Sequence, residues 1–317
     1  MVTLTQLEYI VALDDLRHFA AAADKCFVTQ PTLSMQVKKL EEDLGVVIFD
    51  RRRQPLEPTA MGAKIIEQAR ATLAASGRIK ELIREERQVV SGHFNIGIIP
   101  TLAPYLLPVL MRQVALKYPA LEIGVEEVES EELVRRLKTE RLDAGIFVTP
   151  YGDDDIKEYP VFYEEMLVYA HPEHELLGKQ VLEVKDLEGA DLWLLGEGHC
   201  FRNQVLNLCG MKKDRRRALP FHFESNSLET LMRIVDMEGG CTFIPELALQ
   251  YLPEGKRAQV RAIEHEKPLR EVSVICSAYF VRQQLVKLLC QEIRNVVPER
   301  MWQSGRGMVV EWKTKNV

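Results

Sequence analysis

The sequence has no surplus of positive charge. Its net charge of −6 at pH 7 excludes a uniformly basic coat for nucleic acid. No apolar run approaches the length of a membrane span. The opening residues, Met1-Val-Thr-Leu-Thr-Gln-Leu-Glu-Tyr9, lack the basic start and long apolar core of a signal peptide. Cysteine is sparse. The six residues Cys26, Cys200, Cys209, Cys241, Cys276 and Cys290 are too scattered for the disulfide framework of a small secreted domain. No cysteine pairs stand at zinc-ligand spacing, so no metal site is expected. A P-loop, a paired-carboxylate signature and a Gly-x-Ser-x-Gly elbow are all missing, which leaves a conventional hydrolase or kinase unsupported. With 317 residues, 46% hydrophobic and 28% charged, the chain reads as a cytoplasmic globular protein of two or three domains, its thiols normally reduced.

What is present centres on Gly196-Glu-Gly-His-Cys-Phe-Arg-Asn-Gln-Val-Leu-Asn-Leu-Cys209. Gly196 and Gly198 predict a loop after a strand at Asp191–Leu195, and Phe201–Leu208 reads as one or two helical turns. Helical rise would then hold the sulfurs of Cys200 and Cys209 roughly 13 Å apart. A disulfide needs Cα atoms within about 7 Å, so joining the two requires the segment to refold. That is the outline of a redox switch. The plain alternative is two inert buried cysteines. Asymmetry favours the switch: Cys200 is expected in a polar loop beside His199 and Arg202, which can stabilise a thiolate, whereas Cys209 follows apolar Leu206 and Leu208.

The first 58 residues read as a helix-turn-helix with a wing. Leu7, Ile10, Val11 and Leu13 form one helical face, and His18–Lys25 is a short alanine-rich helix. A third helix starts at Gln30, with Thr29 as its N-cap and Pro31 in its first turn. Leu33, Val37, Leu40 and Leu44 would face inward. Gln30, Thr32, Ser34, Gln36 and Lys38 are left to meet base edges and phosphates. Arg51, Arg52 and Arg53 form a basic hairpin tip. Residues 1–60 carry seven Lys and Arg against nine Asp and Glu, while Lys25–Arg53 carries six against four, so the positive charge is local. A three-helix bundle with a solvated basic turn is the competing reading. Cys26 is expected to be packing.

From Thr59, a cap, to about Val89 a proline-free helix is predicted. Its partial seam of Ile66, Ala69, Leu73 and Ile83 would be buried by a second copy of the chain. A dimer suits recognition of two DNA half-sites. After Ser91-Gly92 the strands Phe94–Ile99, Leu121–Val125 and Leu142–Val148 alternate with helices Pro104–Lys117 and Glu131–Thr139. This is a βαβαβ run and hence a parallel sheet. Further strands are expected at Met166–His171, Phe221–Glu224, Cys241–Ile244 and Val272–Cys276, with helices at Leu228–Met237 and Arg282–Val296. Two α/β subdomains around a cleft fit this order. Thr101, Ser130, His199, Cys200 and Ser227 all follow strands, where such sheets bind ligands. Each of Thr101, Ser130 and Ser227 taken alone reads more simply as a helix cap.

Several motifs resemble the LysR-type transcriptional regulators. They are Leu7-Glu-Tyr-Ile-Val-Ala-Leu13, Phe19–Asp24, Gln30-Pro-Thr-Leu-Ser34 with Leu40-Glu-Glu-Asp-Leu-Gly45, and Thr59-Ala-Met-Gly62. Gly97-Ile-Ile-Pro-Thr-Leu-Ala-Pro-Tyr-Leu-Leu-Pro108, Gly198-His-Cys-Phe-Arg-Asn-Gln204 with Cys209, and Ser227-Leu-Glu-Thr-Leu231 narrow the likeness to the family's hydrogen peroxide sensors. It extends to about residue 300. The resemblance implies a multidomain α+β protein. Residues 1–58 would be a winged helix-turn-helix, and 59–90 a linker and dimerisation helix. Residues 91–303 would be a two-subdomain, periplasmic-binding-protein-like regulatory domain, with subdomain I at about 91–163 and 270–303 and subdomain II at about 164–269. Residues 304–317 form a tail with no assigned role.

The same resemblance implies a peroxidatic Cys200, a resolving Cys209 and a peroxide pocket of Thr101, Ser130, His199 and Ser227. No cofactor or metal is implied. The implied partners are a double-stranded DNA operator, hydrogen peroxide, a homodimer or homotetramer, and RNA polymerase. Two departures stand out: Glu126 where histidine is usual, and Ser277 where arginine is expected. Both would raise the thiol pKa. The alternatives are a regulator whose cleft takes a small metabolite, and a thiol peroxidase.

Overall fold

The computed structural model describes residues 1–86, 90–210 and 224–313. The chain divides into two compact units, Met1–Val89 with Thr139–Arg141, and Val90–Lys138 with Leu142–Val317.

The first unit begins with α1 (Leu4–Leu16), opened by a capping box between Thr3 and Gln6. The short α2 (Phe19–Lys25) follows, with His18 accepting from the Ala21 N–H. Fully buried Ala22 and Ala23 let the neighbouring helices approach closely. The helix α3 (Gln30–Leu44) buries Leu33, Val37 and Leu40, and ends where Gly45 turns left-handed. Thr29 is its N-cap by backbone geometry only, because its hydroxyl pairs with that of Thr32 at 2.8 Å. β1 (Phe49–Asp50) and β2 (Glu57–Pro58) pair antiparallel as the wing.

Then α4 runs from Ala60 to Glu86, 27 residues and about 40 Å. Thr59 caps it, accepting from the Gly62 N–H at 2.9 Å, and its hydroxyl donates to the Val47 carbonyl at 2.8 Å. A Cβ on Gly62 would stand 1.9 Å from the Ile48 carbonyl oxygen, so only glycine lets α4 lie this close to the wing. Arg70 fastens the helix to α1 through Asp14 and Asp15, at 2.8 and 2.5 Å. The expected apolar seam divides in two. Ile66, Ala69 and Leu73 pack into this unit's own core, whereas Ile79, Leu82 and Ile83 stay exposed. Residues 87–89 of the expected helix lie outside the described residues.

The elements of the second unit are β3 (Gly92–Ile98), α5 (Ala103–Lys117), β4 (Leu121–Glu127), α6 (Ser130–Lys138), β5 (Ala144–Thr149), β6 (Ile156–Ala170), β7 (Leu192–Trp193), α7 (Cys200–Leu208), α8 (Leu228–Glu238), β8 (Cys241–Pro245), α9 (Glu254–Arg257), β9 (Val260–Arg261), β10 (Pro268–Ser277), α10 (Gln283–Val296) and β11 (Met308–Val309). Among the described residues the sheet order is β4-β3-β5-β10-β6-β8-β7, with β11 beside β10 and β9 beside β6. β4, β3 and β5 are parallel, as the βαβαβ pattern predicts. β10 runs antiparallel to β5 and β6, so the sheet is mixed.

β6 is longer than expected. Its second half is the predicted Met166–His171 strand, but its first half pairs with the whole of β10. Lys157, Glu158, Glu164 and Glu165 hide that half from any hydrophobic pattern. The second half pairs with β8, so one continuous strand serves both subdomains. Of the expected strand at Phe221–Glu224, residues 221–223 lie outside the described residues. On α6, Leu133, Val134 and Leu137 share a buried face. Each side chain contributes roughly 1.5–3 kcal/mol by leaving water.

Candidate functional site

After β7 the chain turns through Gly196–His199, a bend fixed from two sides. The Gly196 N–H donates to the Ser225 carbonyl at 2.8 Å. Gly198 has φ +90°, and a Cβ there would meet a Glu129 carboxylate oxygen at 2.9 Å. α7 then starts directly at Cys200. The expectation of a thiol in a polar loop is therefore corrected. Cys200 is the first helical residue and is 2% exposed, because its partners arrive from elements distant in sequence. Its backbone N–H donates to the Ser130 hydroxyl at 3.4 Å.

Burial pushes the Cys200 thiol up from its ordinary value, while the Ser130 hydroxyl and the Arg270 guanidinium pull it down. Arg202 does not supply this cation. It donates instead to the Leu195 carbonyl at 2.8 Å, bracing the turn.

Arg270, on β10, is fully buried. Its Nε donates to Glu164 at 2.6 Å, its Nη1 to the Thr101 hydroxyl at 2.9 Å and its Nη2 to the Thr101 carbonyl at 3.0 Å. The guanidinium lies 4.9 Å from the centroid of the Phe201 ring, one residue past the cysteine. Burial pushes the Glu164 carboxyl up from its ordinary value, and the Arg270 guanidinium and the Leu247 N–H pull it partly back down. The cation missed at Ser277 is thus present seven positions earlier. Ser277 merely accepts from the Tyr279 N–H. Sequence reasoning passed over Arg270 because a lone arginine reads as a solvated surface group. The available signal was its phase: it shares parity with Val272, Val274 and Cys276.

Thr101 is buried and bound to Arg270, and the N-cap of α5 is Leu102, so Thr101 is no cap. Ser130 is the first residue of α6 and faces Cys200. His199 is buried one residue before the cysteine, and its Nε2 has no hydrogen-bond partner among the described residues. Ser227 is exposed and caps α8, accepting from the Thr230 N–H at 3.3 Å. Among the described residues its hydrogen bonds run to Ser225, Thr230 and Leu231. Glu126 points outward and pairs with Arg136, away from the thiol. Cys209 sits half-buried at the C-cap of α7, its thiol pushed up to about 11 by burial. Both cysteines are free, at opposite ends of one helix.

In the first unit α3 presents exposed Gln30 and Lys38, with Thr32, Ser34 and Gln36 half-exposed. Lys38 lies 3.7 Å from Glu42, and Gln36 accepts from Gln6 at 3.4 Å. Arg51 pairs with Glu41 at 3.1 Å and covers the Phe19 ring, while Arg53 pairs with Glu57 at 2.5 Å. Arg52 has no acidic partner among the described residues. Cys26 packs against the core of this unit, as expected.

A winged helix-turn-helix followed by a two-subdomain α/β body defines a class of DNA-binding regulators. Residues 4–63 match the bacterial regulatory helix-turn-helix proteins of the lysR family, and residues 87–298 match the LysR substrate binding domain. The chain belongs to the LysR family. It is 36% identical over 276 residues to the hydrogen peroxide-inducible genes activator of Haemophilus influenzae, covering 86% of this chain and 90% of that one. A full-length OxyR variant from Pseudomonas aeruginosa superposes with a TM-score of 0.77 at 34% identity, over 93% of this chain and 98% of the other. An H2O2-bound OxyR mutant from Corynebacterium glutamicum gives 0.61 at 28% identity, over 92% of each chain.

Proposed function

We propose that this protein is a peroxide-responsive transcriptional regulator, switched by a reversible Cys200–Cys209 disulfide. The observation that carries the reading is the buried Cys200 thiol at the positive end of α7, between Ser130 and Arg270, with Cys209 at the far end of the same helix. The Cys200 thiolate attacks one peroxide oxygen, forming sulfenic acid and releasing hydroxide, which takes up a proton as water. The Cys209 thiolate then attacks the sulfenic sulfur, forming the disulfide and expelling hydroxide, which takes up the proton lost by the Cys209 thiol and leaves as a second water. Two thiols and one peroxide thus give one disulfide and two waters.

Thr101 and His199 complete the peroxide pocket in this reading. The unmet Nε2 of buried His199 is a polar atom that a small hydrogen-bonding molecule would satisfy. Ser227 acts as a helix cap and not as a pocket residue. Closing the disulfide unwinds α7, because the helix holds the two cysteines roughly 13 Å apart. The exposed Ile79, Leu82 and Ile83 on α4 suit pairing with a second copy. Gln30, Thr32, Ser34, Gln36 and Lys38 face the major groove, and Arg51, Arg52 and Arg53 the backbone. RNA polymerase is the further partner, in a cytoplasm whose reducing poise resets the pair.

The test is mass spectrometry of reduced protein after one equivalent of hydrogen peroxide, with free thiols trapped. Rapid loss of two mass units, mapped to a Cys200–Cys209 peptide pair, is expected, followed by different DNA footprints for the two redox states. Identical footprints, or slow oxidation elsewhere with both thiols intact, refute the reading.

A further inference from the structure

The segment after Gly307 carried no role in the sequence, yet it is built into the cysteine helix. β11 pairs in parallel with the start of β10, Met308 beside Pro268 and Val309 beside Leu269. The Val310 N–H donates to the Leu269 carbonyl at 2.8 Å, immediately before the pocket's Arg270. From there the chain runs along α7. The Gln204 amide donates to the Val310 carbonyl at 2.7 Å, and Gln204 is fully buried. The Asn207 amide donates to the Glu311 carbonyl at 2.7 Å and to the Lys313 carbonyl at 3.5 Å. Gln204 and Asn207 are three residues apart, so they share one face only while α7 is helical.

Trp312 anchors the end of the run. It is 5% exposed, with ring centroids 5.7 Å from Tyr151 at an interplanar angle of 17° and 5.7 Å from Phe147 at 79°. Lys313 covers the Tyr151 ring at 3.9 Å.

We propose that residues 308–313 form a strap that locks α7 in its helical form and so biases the Cys200–Cys209 pair toward the dithiol. The inference rests on the disulfide reading above. Gln204 and Asn207 both lie between the two cysteines, inside the segment that must unwind. When it unwinds their amides leave the strap carbonyls, and the strap loses its footing on α7. The contacts of Gln204 and Asn207 with the strap therefore belong to the reduced form alone. Removing them makes the disulfide easier to form and harder to reduce. One net hydrogen bond corresponds to about two- to tenfold in an equilibrium constant.

The test uses the full chain, equilibrated with set ratios of reduced and oxidised glutathione. In that exchange the protein disulfide and two glutathione thiols give two protein thiols and one glutathione disulfide. The disulfide fraction is read by mass after alkylation. Asn207→Ala, at a largely solvent-exposed position, is expected to favour the disulfide by about two- to tenfold. Trp312→Ala is expected to favour it at least about tenfold, a potential about 30 mV more negative. In the unsubstituted protein, hydrogen exchange should show the Val310 amide and its neighbours losing protection on oxidation.

If the disulfide forms but Val310 stays protected, or both folded variants keep the original midpoint, the strap is refuted and the switch survives. If no Cys200–Cys209 disulfide forms in the unsubstituted protein, the switch fails and takes the strap with it. Should Trp312→Ala not fold, Asn207→Ala and the exchange measurement decide between these outcomes.

Discussion

Replacing Glu164 with glutamine would leave the Arg270 guanidinium charged, fully buried and without its counter-ion. Breaking a buried pair by removing one partner costs about 3–5 kcal/mol, because the remaining charge is stranded away from water. At about 2–4 °C per kcal/mol for a domain of this size, the melting temperature of the reduced protein should fall by roughly 6–20 °C. A second effect runs the other way. Glu164 offsets part of the positive field that Arg270 exerts on the Cys200 thiol, so its loss should lower the thiol pKa and quicken reaction with peroxide at pH 7.

The companion substitution Arg270→Met leaves a buried carboxyl group with no cation. That carboxyl would be neutral in the folded protein, with its pKa raised above the unfolded value. Its penalty is absent below about pH 4, grows as pH rises through the unfolded pKa, and stops growing above the folded one. The double variant Glu164→Leu with Arg270→Met strands no charge. It should recover most of the stability and react more slowly than the parent. Circular dichroism melts and stopped-flow thiol loss measure both arms. A Glu164→Gln protein that melts within 2 °C of the parent, or one that reacts no faster at neutral pH, would refute the account of this pair.

Three other outcomes are expected. Because burial holds the Cys200 thiol above its ordinary value, its oxidation rate should climb about tenfold per pH unit from pH 6 to 8, and a plateau below pH 8 would show a thiolate far better stabilised than this geometry provides. Ser130→Ala should slow that oxidation and Ser227→Ala should not, although the latter should cost about 1 kcal/mol of stability through the lost cap of α8, read from urea melts. Arg52→Ala should lower the salt slope of operator binding by about 1 with no change in melting temperature, whereas Arg51→Ala also removes a pair with Glu41 and should melt earlier.

The parts of this molecule that could be read from the chain were governed by local rules. The helices α1 to α4 followed from a 3.6-residue period, and α4 also from its cap at Thr59, whose partner lies three residues away. The β3-to-β5 run followed from alternating strands and helices for the same reason. What escaped depends on residues far apart in the sequence. Glu164 and Arg270 each look like solvated charges, and only folding across 106 positions makes them a buried pair. Cys200 looked exposed because its immediate neighbours are polar, yet what surrounds it comes from Ser130 and Arg270. The anchoring of residues 308–313 was silent because its hydrogen bonds use backbone carbonyls, which no side-chain pattern encodes.

The contact between α4 and the wing has a mechanical consequence. Gly62 against Ile48 and Thr59 against Val47 clamp the base of the long helix to the hairpin, so helix and wing turn as one lever. Over about 40 Å, a tilt of about 5° at the far end moves the other end by roughly 3.5 Å, comparable to the rise of one base pair. In a pair of such levers, the crossing angle of the two helices would set the spacing between their recognition helices. An operator would then be measured by helix geometry before any base is read.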